Sequence, residues 1–198
     1  MFLYLLLGLF VLLVSYLIWA TAIFTKVEVR QKTFRETKIA YVTNIGDYSQ
    51  AYKQTAIVEQ KIKEKYGKDW STQPCFGIYY DKPGEVPKSE MRSVVGKLIP
   101  EDFNENIAPE GVYFGVIEEA DVIQAEYPLR SIFSIFAGIH RVYSALNKYL
   151  VRDEPDVQRI VTGGALEIYG YRGNKTLYVL PISVVHGLWA DFPKIKND

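Results

Sequence analysis

No charged side chain occurs before Lys26, and the 198 residues hold one cysteine and two histidines. The single Cys75 excludes an intramolecular disulfide framework and a cysteine-rich zinc module. His140 and His186 have no His or Cys at ligand spacing, so no metal site is expected. No cofactor is expected either. The chain has no phosphate-cradling glycine loop, no dinucleotide fingerprint and no Gly-x-Ser-x-Gly elbow. Its 23 basic residues cancel 23 acidic ones, which leaves no basic field for nucleic acid, and no nucleic-acid partner is expected. What is plentiful is apolar and aromatic: 48% hydrophobic residues, 14% aromatic residues and 15 tyrosines. That composition excludes a disordered chain, and the length suits one domain plus an appendage.

The appendage is the charge-free leader. Residues 1–24 are apolar apart from Gly8, Ser15 and Thr21. At about 1.5 Å per residue, a helix of that length spans roughly 36 Å, enough for the hydrocarbon core of a bilayer. Ala20-Thr21-Ala22 mimics a signal-peptide cleavage site. Against cleavage, the leader has no basic n-region and its apolar run exceeds an ordinary h-region. An uncleaved single-pass membrane anchor is therefore expected, with the lipid bilayer as its partner. Lys26, Arg30, Lys32, Arg35 and Lys38 follow it. That bias places the following domain in the cytosol and the N-terminus on the lumenal or extracellular side. The same cluster suits anionic head groups. Asn174-Lys175-Thr176 is a glycosylation sequon that matters only in the opposite orientation.

Residues 25–35 read as a polar juxtamembrane connector, 36–190 as the domain and 191–198 as a short C-terminal tail. Within the domain, 36–43 reads as a strand, with Ile39, Tyr41 and Thr43 on one face. Residues 48–66 read as a helix stopped by Gly67, on the spacing of Tyr48, Ala51, Tyr52, Thr55, Val58, Ile62 and Tyr66. Residues 75–80 and 91–99 form a long-looped hairpin. The pattern then recurs: strands at 111–118 and 121–127, a helix at 131–150 whose broad apolar stripe runs from Ile132 through Ile139, Val142, Tyr143 and Leu146 to Leu150, and a hairpin of 165–171 with 176–182. Strand, helix and hairpin thus occur twice, as two βαββ repeats of roughly seventy to eighty residues in one α+β domain. The expected fold has antiparallel sheets side by side, two helices on one face, and a ligand groove where the halves meet.

Ile39-Ala40-Tyr41 with Gly46 and Tyr48 resembles the opening of a GyrI-like small-molecule-binding domain. Ile78-Tyr79-Tyr80-Asp81-Lys82-Pro83 with Val86-Pro87, Arg92 and Gly96 resembles its first hairpin, Leu166-Glu167-Ile168-Tyr169 its late strand, and Pro181 the end of the last one. The resemblance covers about 36–190. It implies a small organic cation as ligand and a groove carboxylate at Glu167. Some members of the family are hydrolases, and in them the matching Glu and Tyr act as acid and base. Plain binding with no catalytic residue is the expectation here, since nothing else supplies a nucleophile.

The order of anchor, connector and domain, with the run Tyr127-Pro128 through Ile132-Phe133-Ser134-Ile135 to Arg141-Val142 and Tyr149, resembles the single-pass ER-phagy (reticulophagy) receptors of that family. That implies an adaptor at the endoplasmic reticulum with an autophagy-modifier protein as partner. The candidate modifier motif is Phe192-Pro193-Lys194-Ile195, with Phe192 and Ile195 as its anchors. Pro193 removes a backbone donor and Lys194 adds the wrong charge for a basic docking surface. The other reading is a tail packed on the domain beside Trp189. A bacterial membrane-tethered sensor of lipophilic cations is a further alternative.

Alternation across 165–171 puts Glu167, Tyr169 and Tyr171 on one strand face, with Leu166 and Ile168 on the other, suited to packing on the helices. A carboxylate flanked by tyrosine rings attracts organic cations through charge and ring quadrupole together. Tyr41, Tyr79, Tyr113 and Trp70 are the candidate aromatic walls. An open sheet face would instead leave Glu167 solvated. Burial without a charged partner would raise its pKa.

Overall fold

Two copies of one strand–helix–hairpin pattern fold into a single eight-stranded antiparallel sheet. The computed structural model describes residues 2–104, 106–152 and 163–193. The elements run α1 (Phe2–Thr21), β1 (Arg30–Phe34), β2 (Thr37–Ile45), a 3₁₀ turn at Tyr48–Gln50 leading into α2 (Ala51–Tyr66), β3 (Cys75–Tyr79), β4 (Arg92–Leu98), β5 (Tyr113–Ile117), β6 (Ala120–Pro128), α3 (Ile132–Arg152), β7 (Ala165–Tyr171), β8 (Lys175–Pro181) and α4 (Gly187–Ala190).

The strand order β1-β6-β8-β7-β3-β4-β2-β5 is symmetric about the β7/β3 seam. Outward from the seam come β3-β4-β2 on one side and β7-β8-β6 on the other. The outermost strands are exchanged: β1 pairs with β6 of the second half, and β5 with β2 of the first. Yet β1 joins β2 through residues 35–36, and β5 joins β6 through 118–119. Two links this short, each starting at one margin of the sheet and ending near the other, draw the margins together and curl the sheet.

The curl separates two apolar faces. On one, α2 packs Ala51, Val58 and Ile62 on Ala40, Val42 and Val95, and α3 packs Val142 and Leu146 on Ile123, Ala125, Tyr127 and Tyr178. Both helices therefore share one face, as expected. The other face gathers Phe34, Ile39, Tyr41, Phe76, Ile78, Ile117, Leu166, Ile168 and Val179 under α4, where Trp189 is fully buried. The Trp189 indole donates to the Gly164 carbonyl at 2.9 Å and meets Phe34 edge-on at 5.2 Å. Gly67 ends α2 in a left-handed conformation at φ 63°. A two-pronged Arg92–Asp81 ion pair, at 2.7 and 3.0 Å, closes the base of the β3–β4 loop.

Three expectations change. Within the stretch read as a connector, Arg30–Phe34 forms β1; its RQKTF sequence has no apolar alternation, and only Phe34 is buried. Leu166 and Ile168 pack in the core under α4 rather than on the helices, so it is the Glu167 face that the helices cover. Tyr171 does not share the face of Glu167: a register shift after Tyr169, with Gly170 at φ 81°, turns it toward the α4 side. At the N-terminus, α1 is 20 residues long with mean hydropathy 2.5, long and apolar enough to cross a membrane.

Candidate functional site

At the seam, Gly77 of β3 lies directly opposite Glu167 of β7. The two positions are related by the pseudo-symmetry, and so are Tyr79 and Tyr169, each two residues further on. Where one half carries the acid, the other carries no side chain. The Tyr79 ring uses that space: a Cβ on Gly77 would lie 2.6 Å from the Tyr79 hydroxyl. Tyr79 therefore lies along the sheet toward the carboxylate.

Glu167 is 4% exposed. Its Oε1 accepts from the Tyr143 hydroxyl of α3 at 2.8 Å, and its Oε2 accepts a close hydrogen bond from Tyr169. Tyr178 stacks edge-on against Tyr143 at 5.7 Å. On the α2 side, Tyr48 packs on Tyr79 at 4.7 Å and is tied down by donating to the carbonyls of Asp81 and Arg92. A row of rings thus crosses the floor between the helices: Tyr48, Tyr79, Tyr169, Tyr143 and Tyr178, with one carboxyl at its centre.

The electrostatics follow from this burial. Desolvation pushes the Glu167 pKa above its ordinary 4.5, and the hydrogen bonds from Tyr169 and Tyr143 hold it back in part. Tyr143 and Tyr169 are pushed far up, by burial first and the Glu167 charge second. Tyr79 is raised by the same two causes. These phenols stay protonated and act as neutral donors. Among the described residues no Lys or Arg forms an ion pair with Glu167. The rings cover the carboxylate.

Of the residues expected to line the groove, Glu167, Tyr169 and Tyr79 meet. Tyr41 and Tyr113 do not join them. They stack on each other at 5.5 Å, and Tyr41 lies in the core under α4, because Tyr41 pairs with Gly96, Gly96 with Phe76, and Phe76 with Ile168, all on the face away from the helices. Trp70 is buried against Phe103 in the α2 core, beside a surface hollow lined also by Lys68 and Gln73. Phe192 packs edge-on against Tyr80 at 5.6 Å, while Ile195 lies outside the described residues. Sequence reasoning missed Tyr48, Tyr143 and Tyr178. Tyr48 and Tyr143 read as members of helical apolar stripes; Tyr143 reaches Glu167 from α3, Tyr178 lies opposite Glu167 across the β7–β8 pairing, and Tyr48 joins the row through Tyr79. No group of three or more His, Cys, Asp or Glu suited to a metal ion occurs among the described residues.

The pseudo-symmetric sheet, two helices on one face and a central buried carboxylate define a small-molecule-binding α+β module. The chain belongs to the GyrI-like small molecule binding domain family, whose model matches residues 27–169. It is 26% identical to human testis-expressed protein 264 over 128 residues, which is 59% of this chain and 37% of that relative. The chain thus spans little more than a third of that curated relative. Among solved structures, it resembles the EcmrR C-terminal domain with a TM-score of 0.57 at 18% identity, covering 79% of this chain and 98% of that one. A cryo-EM structure of an EcmrR–DNA complex matches with a TM-score of 0.55, also at 18% identity, over 78% of this chain and 57% of that chain. At this identity these two likenesses concern the fold alone.

Proposed function

We propose that this protein is a membrane-tethered binding module whose cytosolic domain takes a lipophilic organic cation at Glu167. Residues 1–24 are the anchor, and the domain runs from β1 at Arg30 to about residue 190. The observation that carries the reading is a buried carboxylate held only by neutral phenols among the described residues. Such a group is costly to ionise alone, and a cation in its place of contact relieves that cost. The phenol rings supply a quadrupole surface for an apolar cation. Nothing in this arrangement discriminates finely between cations, since the only charge is one carboxylate and the walls are rings.

The test is a melting series of the full-length protein in detergent with dodecyltrimethylammonium and a neutral alkyl analogue of the same length. The cation raises the melting temperature, the neutral analogue does not, and Glu167→Gln abolishes the rise. Equal shifts with both compounds would contradict the proposal. Turnover of an activated ester that is lost in Glu167→Gln would make the site catalytic instead.

A second reading is an adaptor at the endoplasmic reticulum, supported by the likeness to the human relative. Phe192 is engaged with Tyr80, which counts against its serving as a free docking anchor. Capture of ubiquitin-like autophagy modifiers, lost in Phe192→Ala, would favour this reading. Orientation has its own check. Asn174 sits on the exposed β7–β8 turn, so in a eukaryotic host a lumenal domain acquires a glycan there and a cytosolic one does not.

A further inference from the structure

The junction between α1 and the domain is built, not merely linked. The last carbonyls of a helix lack partners within it. Here the domain supplies them. Arg130 Nη1 donates to the Trp19 carbonyl at 3.0 Å, and Ser131 Oγ donates to Ala20 at 2.9 Å. The Tyr127 hydroxyl reaches the carbonyls of Thr21 and Ala22 at 3.0 and 2.9 Å. Arg141 closely contacts the Ile23 carbonyl and donates to that of Thr25 at 2.8 Å. Ser131 also accepts from the Phe133 amide at 3.1 Å, so one hydroxyl caps the end of α1 and the start of α3 together. Ala20 and Ala22 are buried in this joint. The start of α3 is thereby fixed at the level where α1 ends.

That level carries the marks of a bilayer surface. Tyr16 and Trp19 form an aromatic pair at the end of α1, and the Arg130 guanidinium lies 5.9 Å from the Trp19 ring. Immediately beyond Arg130, α3 exposes large apolar side chains: Ile132 is 58% exposed, Phe133 45% and Phe136 63%. Further along α3 the exposed positions are mostly polar, with His140, Ser144, Asn147 and Lys148, apart from Ile139 and, at the far end, Val151. The clustered apolar exposure, Ile132 with Phe133 and Phe136, therefore lies at the anchor end of the helix, and Val151 is isolated at the other. A core-facing stripe would follow the helix face over its whole length instead. Ile23 and Phe24, exposed at 45% and 80%, continue the same apolar rim past α1.

We infer that the first two turns of α3 lie in the bilayer interface beside α1, with Ile132, Phe133 and Phe136 among the acyl chains and Arg130 at head-group level. The occupant of this surface is the lipid bilayer, because the joint with α1 leaves α3 no freedom to lift away from it. Interfacial helices hold the membrane in this way, through buried aromatic and aliphatic side chains flanked by cationic ones. Ile132, Phe136, Ile139 and Tyr143 follow one another at helical spacing, and the Tyr143 hydroxyl ends on Glu167. One line of α3 side chains thus links the interfacial turns to the buried carboxylate. The inference rests on α1 spanning the bilayer, and its test separates the two claims.

The experiment places the environment-sensitive fluorophore NBD at single cysteines in the full-length protein in phosphatidylcholine vesicles, on a Cys75→Ser background. The labelled positions are Val11→Cys in α1, Phe133→Cys and Phe136→Cys at the start of α3, and Asn147→Cys near its end. Doxyl-labelled lipids are expected to quench positions 11, 133 and 136 but not 147, with blue-shifted emission at the quenched sites. Quenching at 11 without quenching at 133 and 136 overturns the interfacial placement while α1 remains a span. No quenching at 11 overturns the span, and this inference with it. Labels at 133 and 136 shielded from aqueous iodide yet untouched by doxyl lipids overturn it in favour of a protein partner or a second copy of the chain.

Discussion

The two halves of the domain share a layout but treat their buried charge in opposite ways. In the first half, α2 sets Val58 and Ile62 on the sheet; in the second, α3 sets Val142 and Leu146 there. The residue after the valine is Glu59 in one and Tyr143 in the other. Glu59 reaches Lys97 at 3.1 Å, and the 3%-exposed Lys97 also donates to the carbonyls of Trp70 and Gln73 at 3.0 and 3.2 Å. That charge is closed within the half. Tyr143 reaches Glu167, and among the described residues this charge is met by phenols alone. A buried ion pair that is complete serves structure, whereas a buried carboxylate without a cation is a candidate site for something brought from outside. The pseudo-symmetry makes the second arrangement feasible, since Gly77, opposite Glu167, carries no side chain and yields its volume to the Tyr79 ring.

The contrast can be broken at several places. The largest effect is expected for Lys97→Met. It removes the cation paired with Glu59 and a donor to the carbonyls of Trp70 and Gln73, and costs about 3 kcal/mol in denaturant unfolding. A cost near zero would mean the first half does not depend on its internal pair. Next comes Gly77→Ala. The new methyl group forces the Tyr79 ring aside at a cost of about 1–2 kcal/mol, and it weakens cation binding more than stability, which calorimetry separates.

Glu167→Gln behaves in the opposite sense to Lys97→Met. The raised carboxyl binds its proton more tightly in the folded state than in the unfolded one. Its stabilising contribution is therefore complete below the unfolded value and fades as pH rises through the folded one. Unfolding free energy should decline with pH above 4.5 in the parent. In Glu167→Gln that slope should flatten, leaving a protein at least as stable at neutral pH without ligand. A parent and variant with parallel pH profiles would remove the desolvation argument. The smallest effect is expected for Tyr143→Phe. Loss of one donor to Oε1 moves the Glu167 titration further upward while the fold is retained, as a pH-dependent fluorescence or NMR signal would report.

Much of this was legible in the chain, for physical reasons that differ from element to element. The alternation of Ile39 to Val42 and the stripe of α3 are core-facing patterns, and they marked β2 and α3 within a residue or two. The charge-free leader marked α1, and the repeated order of elements marked the two halves. β1 was not legible, because RQKTF is held by its pairing with β6 and buries one residue. Glu167, Tyr169 and Tyr79 were legible because their strands carry them on one face of a common register. Tyr41 and Tyr113 were misassigned for the complementary reason: alternation tells which residues of one strand agree, and only cross-strand pairing tells which strands agree with each other. Tyr171 was misassigned because a single bulge at Gly170 reverses the parity. Tyr143 was hidden, since a phenol in an apolar helix stripe looks like core until its hydroxyl partner is known.

The account turns on the ionisation of one group, which isotope-edited carboxyl NMR of Glu167 reads directly in the full-length protein. Without ligand, the titration midpoint should lie above 4.5. With saturating dodecyltrimethylammonium it should fall, with release of a proton on binding near the free-state midpoint. A midpoint at the ordinary carboxylate value that the cation leaves unmoved would contradict a buried acid awaiting a positive partner.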